Sequence, residues 1–343
     1  MSSGRDPRRR AALAALAALV ACKGSPQAAD EPAEAKGSAG VAIAPPQVAP
    51  PQVAPPLVAP RSVVLDEPVV ELPRQEAFTL LDPGKGARAV LRYALAPGTA
   101  SYATATDLTA RHLAGARDQP PALPRIRDGF AVTIAADHPD RLTLRGLAGD
   151  AARSTPETER YLAPWRALLQ DRTATLRFDA RGAISAIELE HAPSSTAAAD
   201  GRGELVQRLL ARIVPVPEEP VGDGASWRVV TILRLGPAYA KQTATYTLVA
   251  RGAAGWKLHL RLVRVAEPQA MDDPTLPAGA TVELLGLSRT LDGEVECDPG
   301  HPLITRGTLA IESRVHVRLS RKGEPATEQV IEDTGTGVFS LRP

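Results

Sequence analysis

The chain has 343 residues, 44% hydrophobic, 23% charged and only 3% aromatic, with 40 basic against 39 acidic side chains and two cysteines. That length is enough for one large or two small domains, and a net charge of +1 gives no bulk attraction to nucleic acid or to an anionic membrane. Rings are too scarce to favour a carbohydrate or aromatic-ligand site built on stacking, and no stretch approaches the roughly 18 apolar residues of a membrane-crossing helix.

The first residues follow the grammar of a secretory signal: Arg5, Arg8, Arg9 and Arg10, then an apolar run over 11–20, then small residues. The run closes on Leu19-Val20-Ala21-Cys22, which resembles the lipobox of bacterial lipoproteins at every position. That resemblance implies export, removal of residues 1–21 as a signal peptide, and diacylglycerol on the Cys22 sulfur with acylation of the new amino terminus. The membrane is then a partner through the lipid on Cys22, with more than the two signals stable anchoring requires. The alternative is an ordinary cleavable signal with a chance cysteine. Lys23 stands where an Asp would resemble a signal for retention at the inner membrane, which implies the outer membrane. Once the four Arg and one Asp of residues 1–21 are removed, 36 basic and 38 acidic side chains remain. Acylation of Cys22 also leaves Cys297 without a disulfide partner.

Residues 22–77 are expected to be a tether. From 23 to about 60 the composition collapses to Ala, Pro, Gly, Ser, Gln and Val, and 44–60 reads APPQV-APPQV-APPLV-AP. Paired prolines fix φ and remove donors, which predicts extended polyproline II, about 3.1 Å per residue and on the order of 50 Å over the repeat. Beyond it, residues 78–343 are expected to form one β-rich domain. Asp82-Pro83-Gly84 is a turn, after which Ala89, Leu91, Tyr93 and Leu95 alternate with Arg88 and Arg92 as the two faces of a strand. Further strands are predicted over 101–111, 129–135 and 140–146.

The periodicity then changes. Thr155, Pro156, Glu157 and Glu159 make a helix start over 155–171, with Pro164 dividing it. A hairpin over 173–180 and 183–190 turns at Arg181-Gly182. A second helix is predicted over 204–214, with Leu205, Leu209, Leu210 and Ile213 on one face and Glu204, Arg208 and Arg212 on the other. The last third reads as strand: 226–235, 240–251, 255–266, 280–290, 307–320 and 325–341. Thr104 to Arg111 echoes Thr243 to Arg251 with one insertion, the kind of match an internal duplication leaves. The fold class expected is therefore α+β: a curved, mainly antiparallel sheet, half-barrel or barrel-like, with two helical segments.

LLDPG followed by LRYALAPG within 80–98, TATLRFDARGAISAIE over 173–188, VPEEPVGDGASWRV over 216–229 and QTATYTLVARGA over 242–253 together resemble a domain-of-unknown-function family of bacterial lipoproteins. The resemblance covers about 78–343. Its motifs are turns and strand entries, so it implies fold and address and brings no catalytic residues.

Spacings that force particular chemistries are missing: no phosphate-cradling loop, no nucleophile elbow, no His-Glu-x-x-His. Cys297 and His301 stand four apart without a second pair to complete a metal site. Asp292, Glu294, Glu296 and Asp298 alternate, so in an extended segment all four carboxylates point one way, as Ca²⁺ requires; the same run also reads as an acidic strand end before Pro299-Gly300. Lys257, His259 and Arg261, with Arg314, His316 and Arg318, line the polar faces of two strands. If the two strands are neighbours, they make an anion-binding patch; as scattered solvated charges they make none. No cofactor is implied. The functional expectation is a non-catalytic envelope protein binding an apolar or amphipathic ligand or an envelope protein. The alternative is a periplasmic hydrolase using acids such as Glu188 and Glu190.

Overall fold

A computed structural model describes residues 74–114, 126–138, 140–151, 173–189, 211–235, 238–252, 254–271 and 279–342. The signal segment, Cys22, the proline-rich repeat, residues 155–171 with Trp165, residues 204–210 and Glu190 lie outside the described residues. Within them 77% of residues are strand and none is helix, so the α+β class is corrected to all-β. The end of the second expected helix is described and is not helical: Ile213 makes an isolated antiparallel bridge to Leu303, and the Arg212 carbonyl accepts from the Ile304 amide. The physical reason is local and tertiary together. Val214 precedes Pro215, which disfavours α conformation there, and Ile213, Val214 and Val216 are all buried, a density of burial that an exposed helix face does not give.

The strands are β1 (Arg74–Asp82), β2 (Lys85–Ala89), β3 (Gly98–Ala114), β4 (Ile126–Ile134), β5 (Arg141–Ala151), β6 (Thr173–Phe178), β7 (Ile184–Leu189), β8 (Val221–Asp223), β9 (Ser226–Leu235), β10 (Ala238–Gly252), β11 (Gly255–Ala266), β12 (Gln269–Met271), β13 (Ala280–Cys297), β14 (Ile304–Arg321) and β15 (Glu324–Arg342). Thirteen belong to one antiparallel sheet, ordered β1-β9-β10-β11-β13-β14-β15-β3-β4-β5-β6-β7, with β12 beside β13; β2 and β8 pair separately. Two runs of sequence neighbours, β3 to β7 and β9 to β15, are thus joined where the last strand, β15, pairs with β3. The segments that echo one another in sequence lie in β3 and β10, which are not neighbours.

Strict alternation explains why one sheet face is dry. In β11 every second residue from Trp256 to Ala266 is buried, and β10 repeats the pattern from Ala238 to Leu248, as period-two pleating requires. Leu142 and Leu144 of β5, Leu176 and Phe178 of β6 and Ile187 of β7 share one core with Val229, Tyr246, Leu258 and Leu260. Strands distant in the sheet order therefore meet, and the sheet curls to let them do so. Trp227 fixes the junction: its ring stacks on Tyr246 at 5.6 Å and its Nε1 donates to the Pro215 carbonyl at 2.8 Å.

Residues 90–97 depart from the sequence expectation in an instructive way. Leu91 and Tyr93 are buried with the expected alternation, yet the segment has no ladder. Its amides reach separate acceptors instead, Tyr93 to Ala180, Ala94 to Pro299 and Ala96 to Gly300. The Tyr93 hydroxyl donates to the Val214 carbonyl at 2.9 Å, and Arg92 donates to the carbonyls of Pro217 and Glu218. Residues 90–97 are laid against the core without a ladder, and burial on one side is enough to give Leu91 and Tyr93 a strand's pattern.

Candidate functional site

The outer face of the sheet carries the charged residues singled out in the sequence. Lys257, His259 and Arg261 lie on β11, and the register sets them opposite Glu296, Glu294 and Asp292 of β13. Lys257 Nζ is 2.7 Å from Glu294, and His259 and Arg261 stand 3.1 and 3.8 Å from Asp292. The hydrogen bond to Glu294 and its charge hold the Lys257 pKa above its ordinary value. On β14, Arg314 pairs with Glu332 at 3.6 Å and His316 with Glu328 at 3.1 Å; Arg318 reaches both Glu328 and Glu283. The hydrogen bond to Glu328 raises the Arg318 pKa, and bonds from Arg318 and His316 lower that of Glu328. β13 separates the two basic triads, and each basic residue faces a carboxylate. Surface pairs of this kind contribute little to stability.

The acidic run is likewise distributed. Residues 292–297 continue β13 between β11 and β14, and Asp298 turns the chain by accepting from the Gly300 amide at 2.7 Å. Among the described residues no group of three or more His, Cys, Asp or Glu is arranged to hold a metal ion. Cys297 points inward with Tyr93, Tyr246 and Trp256 in one core, and burial, with Glu296 nearby, pushes its thiol up to about 12. Glu188 is more than half exposed and ion-paired to Arg177 at 2.7 Å.

The inner face holds what the sequence reading missed. The register aligns Thr231, Gln242, Arg264, Arg289, Ser313 and Asp333 in one line across β9, β10, β11, β13, β14 and β15. Each has the parity of the dry face: Arg264 follows Leu258, Leu260 and Leu262, Arg289 lies between Leu287 and Leu291, and Asp333 follows Ile331. At roughly 4.8 Å per strand the row spans about 24 Å. On one side of it lie Leu262, Leu291 and Ile311; on the other lie Ala266, Leu287, Val315 and Ile331. The row thus divides the apolar face into two clusters.

Within the row, Arg264 Nε donates to Gln242 Oε1 at 2.6 Å. Arg289 Nε and Asp333 Oδ1 are buried and make no hydrogen bond. Desolvation pushes the Asp333 carboxyl up to about 6, and the charge of Arg289, two strands away, opposes the rise through space. The sequence did carry a signal for the row, a polar residue at core parity. In β11 it was masked because Val263 and Val265, its neighbours on the opposite face, are themselves apolar. No family model matches this chain, and no curated protein matches it.

Proposed function

We propose that the chain is an exported lipoprotein of the bacterial envelope, anchored through an acylated Cys22 and carrying a non-catalytic β-domain that binds an amphipathic ligand. The address rests on the Leu19 to Cys22 motif behind four arginines, the outer membrane on Lys23 after the acylated cysteine, and the reach of the domain on the proline-rich repeat. One observation carries the ligand: a single sheet face bears two apolar clusters with a polar row between them, in which Gln242, Arg264 and Asp333 are buried. An interior of that composition suits a molecule with an apolar body and a polar group, whose body would leave water for apolar neighbours while its polar group keeps partners.

Two measurements test the two halves. Membrane fractionation of the full chain should find it in detergent-extractable outer membrane, and Cys22→Ser should release it or leave it unprocessed. A cytoplasmic protein that retains Met1 or Ser2 and a free Cys22 thiol overturns the address. Native mass spectrometry of the Cys22→Ser chain should show co-purified adducts of lipid mass. A clean apo mass, together with no uptake of added fatty acid or phospholipid, overturns the ligand.

A further inference from the structure

We infer that the outer face of β9, β10 and β11 docks on an anionic lipid bilayer. The inference rests on the acylated-Cys22 reading above, which brings a bilayer within reach, and adds the face the domain turns to it. On the outer face, the basic triads of β11 and β14 are answered by carboxylates of the adjoining strands. The part nearer β1 is different, since β9, β10 and β11 carry no acidic residue of their own. The register sets Ile232, Lys241 and Val265 side by side, with Val230, Thr243 and Val263 in the next row. Val265 is 41% exposed, Lys241 is exposed and the other four are partly so. β13 continues the two rows with the uncharged Ser288 and Thr290. Arg228 and Arg234 lie on the same face of β9, on either side of Val230 and Ile232, with Arg234 opposite Tyr239. Among the described residues Arg228 and Lys241 stand in no ion pair. The neighbouring acids are engaged or lie at the rim: Glu76 pairs with Arg74 at 2.8 Å, Asp82 accepts from the Gly84 amide, Asp292 serves His259 and Arg261, and Glu267 lies beyond the end of β11.

Aliphatic side chains left in water beside unpaired cations suit a surface of acyl chains and anionic headgroups, and Tyr239 adds a ring of the kind that sits at headgroup level. The course of the chain points the same way. β1 begins at Arg74, the register partner of Ile232, so the chain that comes from Cys22 joins the domain at the edge of this patch. An acidic protein would answer the same cations; the junction with the anchored segment favours the bilayer. With four aliphatic and three basic side chains the patch is weak by itself. It needs little affinity, because a tether makes docking intramolecular, at an effective concentration set by the linker.

The test is lysine acylation of the full lipidated chain inserted into preformed vesicles, with uncharged N-acetoxysuccinimide as reagent. The vesicles are phosphatidylcholine alone or with about a third phosphatidylglycerol, which supplies the negative surface potential. Lys241 should react about fivefold or more slowly on the anionic vesicles, the factor one basic residue near a charged surface supplies. About 0.5 M sodium chloride should remove the difference. Lys322, exposed in the turn between β14 and β15, should react equally on both. Arg228→Glu combined with Val265→Ser, both at exposed positions, should abolish the protection of Lys241 with near-ultraviolet circular dichroism unchanged; if the pair does not fold, Arg228→Glu alone decides. Equal acylation of Lys241 on both vesicles, equal protection of Lys322, or protection that survives the substitutions overturns the docking while the address stands. Protection of Lys241 in isolated envelopes but on neither vesicle assigns the patch to a protein partner and also overturns the bilayer. The mass of the Cys22 peptide in the same digest reports acylation, and an unmodified Cys22 overturns the address and the docking together.

Discussion

Gln242 Oε1 accepts a 2.6 Å hydrogen bond from Arg264 Nε across β10 and β11, on the buried face of the sheet. The guanidinium cannot be neutralised, so its acceptors matter more than those of an uncharged donor. Gln242→Leu should therefore cost about 1.5–3 kcal/mol in urea denaturation. Glu188→Gln, at an exposed ion pair with Arg177, should stay within about 0.5 kcal/mol. Equal effects of the two substitutions would show that the buried pair does not carry the weight given to it.

Asp333 gives the fold a pH dependence of definite sign. Its carboxyl rises from 3.8 to about 6 on folding, chiefly by desolvation. The folded state thus holds the proton more tightly than the unfolded chain. The associated stability is fully present below pH 3.8 and is lost as pH rises through about 6, a difference of roughly 3 kcal/mol. Asp333→Asn should remove this term. Compared with the parent protein, it should gain stability at pH 8 relative to pH 4, measured as denaturation midpoints; a gap between the two proteins that does not change with pH refutes the shift.

Cys297 should behave as a core residue. With its thiol buried and moved up to about 12, almost none is thiolate at pH 8, and thiolate is the species that reacts. In the Cys22→Ser chain, iodoacetamide should label nothing until denaturant is added, and one equivalent thereafter. Labelling of the native protein on the timescale of a free thiol would place Cys297 at the surface.

Gly255 opens β11 at φ 126°, and a Cβ there would collide with the Cys297 carbonyl oxygen on β13. Gly323, in the turn between β14 and β15, has φ 82° and open space around the same position. Both alanine substitutions strain the backbone, and only the first also displaces a paired strand. Gly255→Ala should therefore lower stability by at least about 2 kcal/mol more than Gly323→Ala, read from thermal or urea unfolding. Similar losses at the two sites would mean that β13 yields easily.

Strand positions were readable because their cause is local. The alternation of Trp256, Leu258, Leu260 and Leu262 with Lys257, His259 and Arg261 needs no partner to be visible, and the observed β11 runs over the expected residues. The same pattern misled where burial alone produced it, at Leu91 and Tyr93, since alternating burial records which side is covered and not whether a ladder exists. The helical spacing that ends at Ile213 misled for a related reason. Leu205, Leu209 and Leu210 lie outside the described residues, and at Ile213 a bridge to Leu303 and the proline that follows Val214 decide the backbone.

The sequence by itself determined the alternation, the turns, the cationic and acidic residues of the outer face, and the Leu19 to Cys22 motif on which the proposed address rests. Only the tertiary structure decided which strands are neighbours. That choice sets Lys257 beside Glu294 and divides the two basic triads by β13. It also lines up Gln242, Arg264, Arg289, Ser313 and Asp333, residues spread over some ninety positions of chain, in one row. Period-two pleating fixes the face of each side chain within its own strand. The level at which it meets the next strand depends on hairpin lengths, bulges and the long-range pairing of β15 with β3, and these are settled only when the whole sheet forms.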